Sequence, residues 1–305
     1  VITMRTTLQF TSLRKWWPQA VASLLFVAAL AAPSTATAQK NFSTPDAAVD
    51  ALVDGLKRRD DGALHTVLGP DYRQLMPLDA LSAEDRATFL SAWSTGHRIE
   101  RNGANARLVL KNGWTLPIPI ARSGAGWVFD VRAGIEEVRT RRIGRNELAT
   151  IQAVRGYYDA QREYVEQDRN GDGVLEYARR FLSSPGKHDG LYWATKEGEP
   201  LSPAGPTFDA SNVKDGYEGY RFKILEAQGP SASGGAHSYL NGGHLTNGFA
   251  LVAWPARYGE TGVMSFLVNQ NGIVYQKNLG ASSADSAAKM TSFNPDTTWV
   301  ALPRR

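Results

Sequence analysis

Apolar positions recur at helical spacing through the first part of the chain and then switch to alternation. Ala48, Leu52, Val53 and Leu56 follow Thr44-Pro45-Asp46, which places Thr at an N-cap, Pro at the first helical position and Asp in the first turn. A second helix is predicted over 61–68, stopped by Gly69-Pro70, and a third opens at Ser82 with Asp85 three residues on and carries Phe89, Leu90 and Trp93. After His97 the period becomes two. Asn102-Gly103, Asn112-Gly113 and Ser123-Gly124-Ala125-Gly126 are turn signals separating strands predicted at 98–101, 106–111, 114–121 and 127–132. Pro117 and Pro119 share a face and predict an edge or a bulge in the third of these.

Residues 133–145 read as a solvated connector, since Arg139, Arg141, Arg142 and Arg145 lie beside Glu136 and Glu137 with no aromatic residue interleaved. Helical spacing returns over 146–167 with Leu148, Ile151, Val154, Tyr158 and Val165 on one stripe, and a short helix is predicted over 175–182. The stretch 184–219 is rich in Gly, Pro, Ser and Asp and predicts a long surface loop. Strands are predicted at 219–227, 248–255, 262–270 and 273–277, the last pair joined by a type I′ turn at Asn271-Gly272. The expected fold class is α+β in two domains: helices plus an antiparallel meander over 39–138, a basic linker at 139–145, and a long helix packed on an antiparallel sheet over 146–305. The first unit resembles the cystatin-like or nuclear-transport-factor-2-like architecture, in which a helix packs across a curved sheet.

Composition changes the picture mainly at the N-terminus. Arg5, Arg14 and Lys15 precede an uncharged run over 20–32, and Ala36-Thr37-Ala38 supplies a small-residue cleavage pattern, so residues 1–38 read as a signal peptide with Gln39 as the mature start. The run is shorter than the ~18–20 residues of a spanning helix. An uncleaved anchor is the competing reading. The expected location is exported, periplasmic or extracellular, with no stable membrane span once the leader is gone. The leader holds three of the 34 basic residues and none of the 30 acidic ones, so the remainder is nearly neutral. Such a chain has no long-range field to draw in nucleic acid. With no cysteine, disulfides, thiolate nucleophiles and Cys-ligated metals are excluded.

The sharpest local motif is Asp168-Arg169-Asn170-Gly171-Asp172-Gly173-Val174-Leu175-Glu176. Oxygens of Asp168, Asn170, Asp172, the Val174 carbonyl and Glu176 have the spacing of a calcium loop, and Ca2+ is the cofactor this implies. Position 12 of such a loop should be a bidentate Glu and is Arg179. A plain turn held by Asx interactions is the alternative. His237 and His244 straddle a Gly-rich segment and form a second candidate for metal or acid–base work, against an inter-strand loop with exposed imidazoles. Tyr192, Trp193, Trp254 and Tyr258 make a candidate aromatic surface for a saccharide or peptide, or else pack the long loop on the sheet. Ser184 and Ser286 each begin an S-x-x-K run without the companion motifs of penicillin-binding enzymes, and no G-x-S-x-G or P-loop occurs. No catalytic set emerges.

The runs IGRNELATIQAVRGYYDAQREYVEQDRNGDGVLEYARRF, HDGLYW, SPAGP, GYRFKILEAQG and GFALVAWPARYGETGVMSFLVNQNGIVYQKNLG resemble the bacterial family catalogued as domain of unknown function 2950. That resemblance implies membership without an activity. From Asn146 onward the chain is also similar to the globular part of type IV pilin-like and pseudopilin proteins, through Asn146, Glu147, Ala160-Gln161, Tyr164, Gly219-Tyr220-Arg221-Phe222 and the run from Tyr258-Gly259 to Phe266. It lacks their apolar leading helix, so what carries over is helix-on-sheet packing. The expected function is a non-catalytic envelope protein that binds a small ligand or another envelope protein. The alternatives are a periplasmic hydrolase with its site at the domain interface and a pseudopilin-like assembly component.

Overall fold

In the computed structural model the described residues are 39–75, 82–195, 198, 201–205 and 216–303. The expected leader and parts of the 184–219 loop lie outside them. Helix α1 is Pro45–Arg58, its N-cap Thr44 accepting from the Ala47 N–H, and α2 is Asp61–Leu68, capped by Asp60. Each cap satisfies an N–H that the helix itself leaves without a partner. A one-turn α3 (Tyr72–Leu75) and α4 (Ala83–Thr95) follow, α4 beginning with the predicted Ser82/Asp85 capping box.

Strands β1 (His97–Asn102), β2 (Asn105–Leu110), β3 (Ile120–Ser123) and β4 (Gly126–Phe129) form an antiparallel sheet in sequence order. The third strand is about half its expected length. Pro117 and Pro119 have no N–H to give a ladder, so after a bridge at Thr115 to Val109 the chain swings out and rejoins β2 only at Ile120. Leu52, Val53, Leu68, Leu108, Ile120 and Phe129 are buried between helices and sheet as the first core.

Asp130 caps the next helix by accepting from the Ala133 N–H, which ends β4 three residues earlier than expected. That helix, α5, runs unbroken from Val131 to Tyr164. At 1.5 Å per residue it is about 51 Å long. Residues 139–145, the expected linker, are therefore helical and continuous with the turns on either side. Glu136 pairs with Arg139 three residues on and Glu137 with Arg141 four residues on, so part of the charge run is taken up in pairs along a helix. Arg141 reaches further, donating to the Thr115 carbonyl and hydroxyl.

The buried face of α5 also differs from the expected stripe. Leu148 is exposed, while Asn146, Thr150, Val154, Tyr157, Gln161 and Tyr164 are buried. The polar members belong there because they have partners: Asn146 Nδ2 donates to the Thr261 carbonyl (2.8 Å) and Thr150 Oγ1 to the Asn146 carbonyl (2.7 Å).

The second sheet is built after a long excursion. Strand β5 (Tyr220–Leu225) leads into two small ribbons, β6 (Ala227–Gln228) with β7 (His237–Ser238) and β8 (Leu240–Asn241) with β9 (His244–Leu245). Then come β10 (Ala250–Pro255), β11 (Met264–Asn269), β12 (Tyr275–Asn278), helix α6 (Ser283–Lys289) and β13 (Val300–Ala301). The five long-range partners order as β13-β12-β11-β10-β5, all antiparallel. All six residues of β10 are buried, with Leu251 opposite Val268 on one side and Ile224 on the other. The later turns of α5 pack against β10 and β11, and Val154, Tyr157, Ala160 and Tyr164 join the second core. Asn271 is not left-handed, so the turn before β12 is not type I′: both central residues of that type need positive φ.

The chain from Gln39 onward is one compact unit with two cores, α+β, its sheets antiparallel. Among the described residues no helix is long and apolar enough to cross a membrane.

Candidate ligand-binding cleft

The helix predicted over 175–182 does not form. That segment is extended, with the Leu191 N–H donating to the Arg180 carbonyl, Tyr192 to Phe181, and Ser183 back to Tyr192. Gln161, fully buried on α5, holds its middle. Its amide accepts from the Ala178 N–H and donates to the Ala178 carbonyl, both at 2.8 Å, much as a neighbouring strand would. With a helix on one side only, residues 168–176 are not the loop of a helix–loop–helix calcium site.

The loop has a different internal order. Asp168 accepts from the N–H groups of Gly171, Asp172 and Gly173. The Gly173 N–H above all, with those of Gly171 and Asp172, holds its carboxyl below the ordinary carboxylate range. Asp168 thus closes the loop. Asn170 Nδ2 donates to Asp172 Oδ2 and to Glu176 Oε1, both at 2.7 Å, and ties the two carboxylates together. Val174 gives its N–H to Asp172 Oδ1.

The Gly-rich segment supplies the other wall. Gly242 and Gly243, both at positive φ, form the two-residue turn between β8 and β9, the conformation that such a tight hairpin demands. The hairpin is placed by two bonds: the Leu245 N–H donates to Glu176 Oε2 (3.2 Å), and the Tyr177 N–H donates to the Leu245 carbonyl (2.9 Å). His244 thereby faces the loop. Its Nδ1 lies 3.3 Å from Glu176 Oε2 and 3.5 Å from Asp172 Oδ2. Of the two candidate sites that sequence spacing kept apart, His244 of the second joins Asp172 and Glu176 of the first.

A cavity of about 400 Å³ opens here, lined by Tyr164, Asn170, Asp172, Glu176, Arg179, Arg180, Asp189, Glu226 and His244 among others. Arg179 pairs with Glu226 and donates to the Gly243 carbonyl, and Arg180 pairs with Asp189. Asp189 also accepts from the Ser184 N–H and hydroxyl; burial works the other way, yet these bonds and Arg180 bring its carboxyl below its usual range. Burial, with the Glu176 and Asp189 carboxylates nearby, pushes the Tyr164 phenol up to about 12, so it stays a donor, here to the His188 carbonyl.

The remaining predicted site residues lie elsewhere. His237, on β7, is exposed with its ring edge-on to Tyr239. Trp193 and Trp254 are 9% and 8% exposed and belong to the second core, Trp193 stacked on His188 beneath Arg169. Tyr192 is half-buried in its bridge to Leu182, and Tyr258 is half-buried in the turn before Gly262. A second cavity of about 710 Å³ lies beside Pro117 and Pro119 in the first core's sheet, but its charged groups are mutually satisfied: Glu100 with Arg98 and Arg107, Glu137 with Arg141. Glu226 is a cleft residue with no sign in the sequence, and Arg179 stands out there only as the place of a missing calcium ligand, because their pairing spans 47 residues of chain.

No curated protein and no solved structure matches the chain. The model of one family does match, over residues 39–302, nearly the whole chain beyond the expected leader, and on that breadth the chain belongs to the family described as Protein of unknown function (DUF2950).

Proposed function

We propose that this is an exported, non-catalytic binding protein whose ligand enters the cleft between the 168–176 loop and the β8–β9 hairpin. The observation that carries the reading is the convergence of Asp172, Glu176 and His244 at the mouth of one polar cavity. Convergent polar groups in a concave site are the usual mark of small-ligand binding. The hydroxyl at the cleft's edge is already engaged: Ser184 Oγ sits between Asp189 and Arg180, not against an imidazole base. The leader supports a periplasmic or extracellular location. The pilin-like resemblance of the second unit supports at most a shared helix-on-sheet packing, and the cystatin-like or nuclear-transport-factor-2-like likeness of the first unit a shared architecture.

Fractionation of cells expressing the full chain, with N-terminal sequencing, should find the mature protein outside the cytoplasm starting at Gln39. A panel of amino acids, dicarboxylates, sugars and cell-wall fragments should contain compounds that raise the melting temperature of the wild type and not of Arg180→Ala. Turnover of a cell-wall fragment, abolished by Glu176→Gln, would replace this reading with the hydrolase.

A further inference from the structure

The two carboxylates at the cleft mouth lack what the others have. Glu226 and Asp189 each face an arginine, whereas Asp172 and Glu176, among the described residues, have no Lys or Arg within ion-pair distance. The Glu176 side chain is only 13% exposed. Removing a carboxylate from water without a compensating cation is costly. The groups that do face the pair are the Asn170 amide, the Val174 and Leu245 N–H groups and His244.

We infer that Asp172 Oδ2, Glu176 Oε2 and His244 Nδ1 are three ligands of a zinc-type divalent cation, an inference that rests on the reading of this cleft as the binding site. Each of the three residues offers one ligand atom within 4.8 Å of those of the other two. His244 Nδ1 stands 3.3 and 3.5 Å from the two oxygens, longer than the ~2.7–2.9 Å of a charge-assisted hydrogen bond. Those spacings match the edge of about 3.3 Å expected for tetrahedral donors at ~2.0–2.1 Å from zinc. Donor chemistry then selects among cations. Calcium takes six to eight oxygens, and an imidazole nitrogen completing a carboxylate pair suits a borderline first-row ion instead. The loop's resemblance to a calcium site is therefore local: Asp168 spends its carboxylate on backbone N–H groups, and Asn170 acts behind the ligands by holding both carboxylates in place. Three protein ligands leave a fourth position facing the cavity, where a ligand's own donor atom would bind.

Titration calorimetry of the tag-free mature chain with ZnCl2 tests this, with CaCl2 run in parallel. The expected result is one zinc per chain, bound at least 100-fold more tightly than calcium. His244→Ala and Glu176→Gln should each weaken it at least tenfold, and His237→Ala should not. Glu176→Gln keeps an acceptor for the Leu245 N–H, so it separates loss of a ligand from loss of fold. Asn170→Ala should weaken binding by ~10–100-fold, as for groups that orient metal ligands. Absence of zinc binding at millimolar concentration, preference for calcium, or indifference to His244→Ala would each overturn the inference. Compounds from the panel that bind equally well in chelator would overturn the claim that a ligand completes the metal's coordination, while leaving the cleft reading standing. Zinc bound as expected, with no compound taken up, would sustain the metal site and end the small-ligand reading.

Discussion

Replacing Gln161 with Leu probes how the cleft is held. The Gln161 amide is fully buried and serves both backbone groups of Ala178, itself 2% exposed. Leu has nearly the same volume, so the substitution leaves no cavity to add its own cost. What it leaves is a buried N–H and a buried carbonyl without a partner, at ~1–3 kcal/mol each. A loss of about 4 kcal/mol is expected, which for chains of ~150–250 residues is about 8–16 °C in melting temperature. The Tyr157 hydroxyl, which accepts from Gln161 and donates to the Ala250 carbonyl, gives a control: Tyr157→Phe keeps the clamp and should cost about 1 kcal/mol. Thermal and urea unfolding of the three proteins would measure this. A Gln161→Leu protein within 1 kcal/mol of wild type would refute the claim that this amide stands in for a strand. It would also leave the extended path of 175–182 without a cause.

Gly144 lies within α5, and a Cβ added there meets nothing within 4 Å. Gly144→Ala should therefore stabilise by ~0.5–1 kcal/mol, whereas Gly144→Pro should cost ~3 kcal/mol or more; a flexible linker would be indifferent to both, and thermal melts decide. Asp189 has its carboxyl lowered in the folded protein, so its contribution is complete above 3.8, its unfolded value, and fades as pH falls through the folded value. Asp189→Ala should thus melt below wild type at about pH 7, with the gap closing under acid conditions below 3.8; a constant gap would contradict the assignment. Glu147 Oε1 accepts from the N–H groups of Val263 and Met264 (2.9 and 3.0 Å), so Glu147→Ala should cost ~1–3 kcal/mol by urea unfolding, with Glu147→Gln recovering most of it.

Local chemistry made part of this legible. The starts of α1 and α4 could be read because Thr44 and Ser82 act on groups three residues away. The 168–176 carboxylates stood out for the same reason. His244 could not be joined to them, since the hairpin that delivers it is anchored by the Leu245–Glu176 bond across 69 residues. The missed continuity of α5 had a readable trace, the i,i+3 and i,i+4 pairs of Glu136–Arg139 and Glu137–Arg141, masked by a density of charge that resembles solvated linker. The expected helix at 175–182 lost to a tertiary partner, because Gln161 offers that segment a pairing no propensity scale contains. Several residues behind the pilin-like resemblance prove to be fasteners: Asn146, Glu147 and Gln161 each bind backbone from another part of the fold.

Because α5 gives Val131 to one core and Tyr164 to the other, its middle turns act as a screw thread between them. A single residue inserted near Gly144 would rotate everything downstream by about 100° and advance it by about 1.5 Å. Surface loops absorb such length changes with little loss; here one extra residue would misalign half the molecule against the other. Substitutions at exposed positions in this stretch should be borne far more readily than any change in its length.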